Sequence, residues 1–208
     1  MLRPSRAAFH LIAMTPLTPA AARIVDAAIA HFAVRGYDGA SLTEIAEAVG
    51  IRKASLYAHF SSKDSLFLQA FSICIAQERA RAAQCFADEA AEALPGSHYC
   101  QSLMVCYPQS SQLQFFLRTS YMPPAALIPR IDAEHEAYLA QLGDAFRARL
   151  KQHDSGRRRS KASVDEHVEA YLGIVDSVQV KLIYTDPAGA SRRLDALLAL
   201  LQRSLVNA

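Results

Sequence analysis

The sequence predicts an all-α protein. Alanine and leucine dominate and glycine is sparse, with 8 in 208 residues. No run alternates convincingly with period two. Apolar residues instead recur at three- and four-residue spacing. With 51% of residues apolar, a substantial core is available. About nine helices and no strand are expected, arranged as an N-terminal three-helix bundle and a larger helical C-terminal unit. The length suits one large domain or a small one joined to a larger one.

The first helix opens where Thr18 can cap it and Pro19 fits its first position. Ile24, Ala28 and Phe32 repeat on one face, and Gly36 suits a left-handed C-terminal stop before the loop "YDGA". Ser41 then caps a second helix, with Glu44 completing a capping box. Leu42, Ile45 and Val49 form its inner stripe and Gly50 ends it. The third helix is brief, about Lys53 to His59, with Leu56 and Phe60 inward. Ser61 and Ser62 start a long fourth helix from Lys63 toward Ala93, closed by "LPGS" at 94 to 97.

Beyond this, residues 98 to 107 read as a helix that stops before Pro108. A second, 109 to 120, ends at Pro123-Pro124, and a long amphipathic helix follows over 125 to 150. "KQHDSGRRRSKA", 151 to 162, reads as a polar linker in which Arg157, Arg158 and Arg159 are solvated. Ser163 and Glu166 make a second capping box for a helix to Tyr184. Asp186 and Pro187 open the last helix. Residues 1–17, with Arg3 and Arg6, read as a flexible arm, and Met14 is an alternative start.

Several classes are excluded. The apolar runs fall short of the ~20 residues of a membrane span. The four cysteines show no C-x-x-C pair, and His98, Cys100 and Cys106 match no zinc spacing, so reduced thiols, a cytoplasmic location and no metal or other cofactor are expected. No Ser-His-Asp or Cys-His arrangement and no Gly-rich phosphate loop stands out, so no enzyme is expected.

The stretch "LTEIAEAVGIRKASLYAHFSSKDSLF", 42 to 67, joins two short helices through a tight turn. A helix that reads a DNA major groove needs small residues for close approach, polar tips for base edges and phosphates, and an apolar back. Ala54, Ser55 and Ala58 are small, Lys53, Ser55, Tyr57 and His59 carry polar tips, and Leu56 and Phe60 form the back. Net charge is only +2, and Thr18 to Ser65 balances five basic against five acidic residues. Ile51 to Lys63, however, holds three cations (Arg52, Lys53, Lys63) and no acid. Placement rather than total charge points to a polyanion.

The segment "ARIVDAAIAHFAVRGYDGASLTEIAEAVGIRKASLYAHFSSKDSLF" resembles the TetR family of bacterial transcriptional regulators over about 45 gapless residues, under a quarter of the chain. The resemblance implies a DNA-binding domain over 18–65, its helix-turn-helix at 42–61, and an effector-binding and dimerisation domain over 66–208. It implies that Lys53 and Ser55 face base edges and that Thr43, Tyr57, His59 and Lys63 contact phosphates. Position 52, usually a capping Ser or Thr in such proteins, is Arg52, which frays the helix or adds a phosphate contact. The expected activity is that of a homodimeric repressor on a near-palindromic operator, released by a small apolar or aromatic effector. The alternative is a helical small-molecule-binding protein of this fold without DNA binding.

Aromatic side chains crowd the middle of the chain. Most are core, and Tyr107, Phe116, Tyr121 and Tyr171 are candidates for lining an effector pocket. The last two helices are apolar on more than one side, which suits a four-helix interface between two copies.

Overall fold

The computed structural model describes residues 17–154, 159–184 and 187–207. Among them are nine α-helices and no strand: α1 (Pro19–Gly39), α2 (Leu42–Ala48), α3 (Lys53–Tyr57), α4 (Lys63–Ala87), α5 (Ser97–Cys106), α6 (Ser111–Tyr121), α7 (Ile128–His153), α8 (Lys161–Tyr184) and α9 (Pro187–Asn207). Single 3-10 turns precede α6 and α7. Arg3, Arg6, Met14, Arg157, Arg158 and Asp186 lie outside the described residues.

Local chemistry sets most helix starts. Thr18 Oγ1 accepts the Ala21 N–H at 3.2 Å and Pro19 takes the first position of α1. Gly36, at φ 68°, breaks the helical path three residues before the end of α1. Ser41 Oγ accepts from the Thr43 and Glu44 N–H groups at 3.2 and 3.4 Å. The other half of the expected box is absent. The Glu44 carboxylate turns to His31 Nε2 at 3.0 Å and Arg35 at 3.9 Å, and the Ser41 N–H lies 3.4 Å from the same imidazole nitrogen. A tertiary contact with α1 outcompetes the local return bond. At α4 the reciprocal pair forms between Ser62 and Ser65, at 3.0 and 3.1 Å.

Two boundaries also differ from the sequence expectation. α4 stops at Ala87 rather than near Ala93. The Glu89 carboxylate turns inward, accepts the Gly96 and His98 N–H groups at 3.0 Å each, and lies 3.0 Å from Arg149 Nε. Arg149 also donates to the Ala90 and Ala91 carbonyls, so 88–96 is a folded loop pinned to α7. α8 begins at Lys161, with the Ser163 N–H bonded to Ser160 Oγ at 3.1 Å, so Ser160 and not Ser163 supplies the cap. Arg159 is not solvated either. Its side chain is 3% exposed, pairs with Asp154, and donates to the Leu205 carbonyl at 2.6 Å. A buried cation needs such partners.

The core runs through the whole chain. Phe32 of α1, Phe67 of α4 and Phe115 of α6 meet with ring centroids 4.8, 5.1 and 5.8 Å apart. Each buried ring contributes roughly 1.5–3 kcal/mol. The cluster joins the N-terminal helices to the rest, and the broadest contact of α1 is with α6 rather than with α2 or α3.

Candidate nucleic-acid interface

α3 is held by its back and exposed everywhere else. Leu56 is 0% exposed and Phe60 7%. Arg52, Lys53, Ala54, Ser55, Tyr57, Ala58 and His59 all face solvent. Tyr57 is 46% exposed, so it is a surface aromatic rather than part of the core. Gly50, at φ 74°, makes the turn from α2, and nothing stands within 4 Å of where a Cβ would be. Its role is purely conformational. Arg52 occupies the N-cap position without a side-chain cap bond, leaving its guanidinium free to reach outward. Thr43 is exposed at the start of α2.

Lys63 sits half-buried at the first position of α4. Its ammonium stands 4.6 Å from the centre of the Tyr37 ring, and the Tyr37 hydroxyl donates to Asp64. Burial and the neighbouring Asp64 push the Tyr37 phenol up to about 12, so it stays protonated and keeps donating. This Tyr37–Lys63–Asp64 clasp binds the end of α1 to the start of α4. Tyr37 lies in the segment that carries the family resemblance, with no role assigned to it there. The same holds for Arg23. Its Nη2 donates to the Val49 carbonyl at 2.9 Å and closes the C-terminal end of α2. Neither contact has a local sequence signal, since 26 or 27 residues separate the partners.

The four aromatic candidates of the C-terminal unit do not share one environment. Phe116 is fully buried against Phe71 and Tyr138. Tyr171 is fully buried, stacked on Phe146 at 4.3 Å, and donates to the Gly96 carbonyl at 3.1 Å. Tyr121 donates toward Asp176 at 2.8 Å and Gln179 at 2.9 Å. Tyr107 is half-buried at the 3-10 turn after α5. Phe116 and Tyr121 meet at His135, while Tyr171 belongs to a separate ring group with Phe86 and Phe146. A cavity of about 340 Å³ lies elsewhere, between Glu92, His153, Asp154 and the end of α9.

Among the described residues no group of three His, Cys, Asp or Glu side chains is placed to hold a metal, and no helix is long and apolar enough to cross a membrane.

The family model "Bacterial regulatory proteins, tetR family" matches residues 24–70, which are most of α1, α2, α3 and the first turns of α4. The biofilm operon icaADBC HTH-type negative transcriptional regulator IcaR of Staphylococcus aureus (strain Newman) is 50% identical over 52 residues, 25% of this chain and 28% of the relative. The Staphylococcus epidermidis protein of the same name is 40% identical over 52 residues. The match thus spans under a third of the curated relatives' length. Over nearly the whole chain the fold is that of solved regulators. SCO4454, a TetR-family transcriptional regulator from Streptomyces coelicolor, superimposes with a TM-score of 0.66 at 17% identity, over 89% of this chain and 94% of that one. A TetR-family regulator from Agrobacterium tumefaciens gives 0.65 at 20%, over 88% and 96%. AibR, solved in complex with isovaleryl coenzyme A and operator DNA, gives 0.61 at 22%, over 86% and 96%.

Proposed function

Because the chain belongs to the TetR family by its N-terminal domain, we propose that it is a DNA-binding transcriptional repressor that acts as a homodimer and is released by a small-molecule effector. The observation that carries this reading is the short helix α3. Two buried residues, Leu56 and Phe60, anchor it while Arg52, Lys53, Ser55, Tyr57 and His59 stand in solvent on the rest of its surface. That surface has the small size, polar tips and positive charge that major-groove reading requires. Lys53 and Ser55 read base edges. Thr43, Arg52, Tyr57, His59 and Lys63 hold phosphates. The two curated relatives cited above, named as negative regulators, support repression rather than activation.

Two copies meet through α8 and α9. These helices pack on one another and still leave Val180, Tyr184 and Leu200 exposed, at 36, 62 and 56%. A second α8–α9 pair covers such a face, and the twofold axis sets two α3 helices one DNA turn apart, ~34–36 Å. Effector binding in residues 66–208 changes that spacing. It releases DNA by the ratio of the effector's affinities for the two geometries.

The test is selection of genomic fragments by the purified chain, followed by footprinting of the retained fragments. A protected, near-palindromic site with half-sites one turn apart is the expected result. A chain that retains no duplex DNA at modest ionic strength is the alternative small-molecule binder instead.

A further inference from the structure

The interior of the C-terminal unit holds a chain of hydrogen bonds that runs across five helices. Arg81 of α4 pairs with Glu78, its Nε 2.9 Å from Oε2 and its Nη2 2.5 Å from Oε1. Tyr99 of α5 lies 2.5 Å from Glu78 Oε1 and in contact with the hydroxyl of Tyr138 of α7. Gln179 of α8 reaches Tyr138 at 2.7 Å with one end of its amide and Tyr121 of α6 at 2.9 Å with the other. Tyr121 continues to Asp176 at 2.8 Å. Tyr99, Tyr138 and Gln179 are completely buried.

The protons of this chain do not suffice. Five contacts link Glu78 to Tyr99, Tyr99 to Tyr138, Tyr138 to Gln179, Gln179 to Tyr121, and Tyr121 to Asp176. Each phenol supplies one proton. The Gln179 amide supplies one more, because its nitrogen serves only one of its two contacts whichever way the amide is turned. Four protons serve five contacts. Burial raises all three phenols, so none is further deprotonated. The Glu78 end is fixed by the Arg81 cation. The shortfall therefore falls at the other end, where one Tyr121 proton faces both Asp176 and Gln179. Asp176 is half-buried and pairs with no cation among the described residues. Two more polar atoms nearby lack partners. Ser120 Oγ, in a residue 8% exposed, is unbonded, and so is His135 Nε2. The rings of Tyr121, His135, Tyr138 and Phe116 contact one another beside them, with centroids 5.2 to 6.3 Å apart.

We propose that the Tyr121–Asp176–Gln179 end of this chain binds a small arylalkyl primary ammonium. Its N–H groups supply the missing donor between Asp176 and Gln179, and its apolar body lies against the Phe116, His135 and Tyr138 rings. A carboxylate beside aromatic faces attracts a cation both by charge and through the ring quadrupoles. An anionic ligand would add another acceptor where acceptors are already in excess. This rests on the reading of residues 66–208 as the effector-binding unit and names the effector's chemistry. Tyr121 is the last residue of α6, and Arg118, one turn earlier, donates to the Ala33 and Val34 carbonyls of α1. A ligand that displaces Tyr121 therefore moves the helix that grips the DNA-binding domain.

The experiment titrates the full chain, without DNA, with 1-naphthylmethylammonium and with 1-naphthylacetate by calorimetry. The amine binds and the acid does not. Asp176→Asn, which brings its own N–H, melts at a higher temperature and loses amine affinity at least tenfold. Gln179→Met leaves three contacts for three phenolic protons and also loses amine affinity severalfold. Binding of the acid as tight as that of the amine, or amine affinity unchanged in both variants, overturns the assignment. So does a lower melting temperature for Asp176→Asn. Amine binding by a chain that binds no DNA would sink the repressor reading and leave this site standing. DNA binding without amine binding would do the reverse.

Discussion

Arg118 closes the C-terminal turn of α1 from a different part of the chain, donating to the Val34 carbonyl at 3.2 Å across 84 residues of sequence. The same guanidinium reaches the Ala33 carbonyl at 3.4 Å, and a Cβ on Gly36 would stand 3.0 Å from its Nη2. Helix C-termini present unsatisfied carbonyls and favour cations. Here α6 of the C-terminal unit supplies that cation to α1. Arg118→Met should lower stability by ~1 kcal/mol, a fall of a few degrees in Tm for a chain of this length. It should also weaken operator binding more than that loss accounts for, because α1 is no longer held to α6. Operator affinity by fluorescence anisotropy at a temperature well below Tm checks this. Unchanged affinity would show that the clamp is structural alone.

Arg52 occupies a cap position without capping. Arg52→Ser should stabilise the chain by ~1 kcal/mol by supplying the missing side-chain acceptor to the first turn of α3. It should weaken DNA binding at low salt by removing one phosphate contact. Urea unfolding and a salt titration of DNA affinity separate the two effects. A variant neither more stable nor weaker in binding would remove Arg52 from both roles.

Lys63 is shared between Tyr37 and the proposed phosphate. Lys63→Ala should cost little stability, ~0.5–1 kcal/mol for the ring contact. It should reduce the slope of log affinity against log salt by about one. A slope equal to that of the parent chain would place Lys63 off the DNA.

Leu200 is 56% exposed on α9. Leu200→Asp should leave the monomer folded and shift the monomer–dimer balance at least tenfold toward monomer in sedimentation velocity. Operator affinity should fall with it, since both half-sites are no longer held together. A variant that still sediments as a dimer would point to another interface.

Burial lowers the His135 imidazole below its ordinary 6.5, and Asp176, Glu136 and Asp132 offset this only in part. As pH falls through the unfolded value, the unfolded chain takes up a proton that the folded chain refuses. The contribution of His135 is therefore complete above about pH 6.5 and is lost as pH drops toward its lower folded value. His135→Phe keeps a ring in the cluster and removes the titration. Its Tm should fall less than that of the parent chain between about pH 7 and pH 5. Parallel pH profiles would show that His135 does not titrate in this window.

The sequence by itself determined what nearest neighbours decide. Thr18 and Pro19 start α1, Gly36 and Gly50 turn the chain at positive φ, Ser41 caps α2, and Leu56 with Phe60 gives α3 its inner side. Those features act over three or four residues, so spacing reveals them, and they outline the candidate DNA-reading surface before any coordinates. Only the tertiary structure decided where α4 stops, because Arg149, 60 residues further on, turns Glu89 inward. It alone showed that Glu44 serves His31 rather than its own cap, that Arg159 is buried, and that Arg118 holds α1. Charged and polar side chains are long and choose partners by proximity after folding, and sequence distance says nothing about who those partners are. The proton shortfall between Tyr121, Asp176 and Gln179 is of the same kind, since it exists only when five helices bring their polar tips to one line.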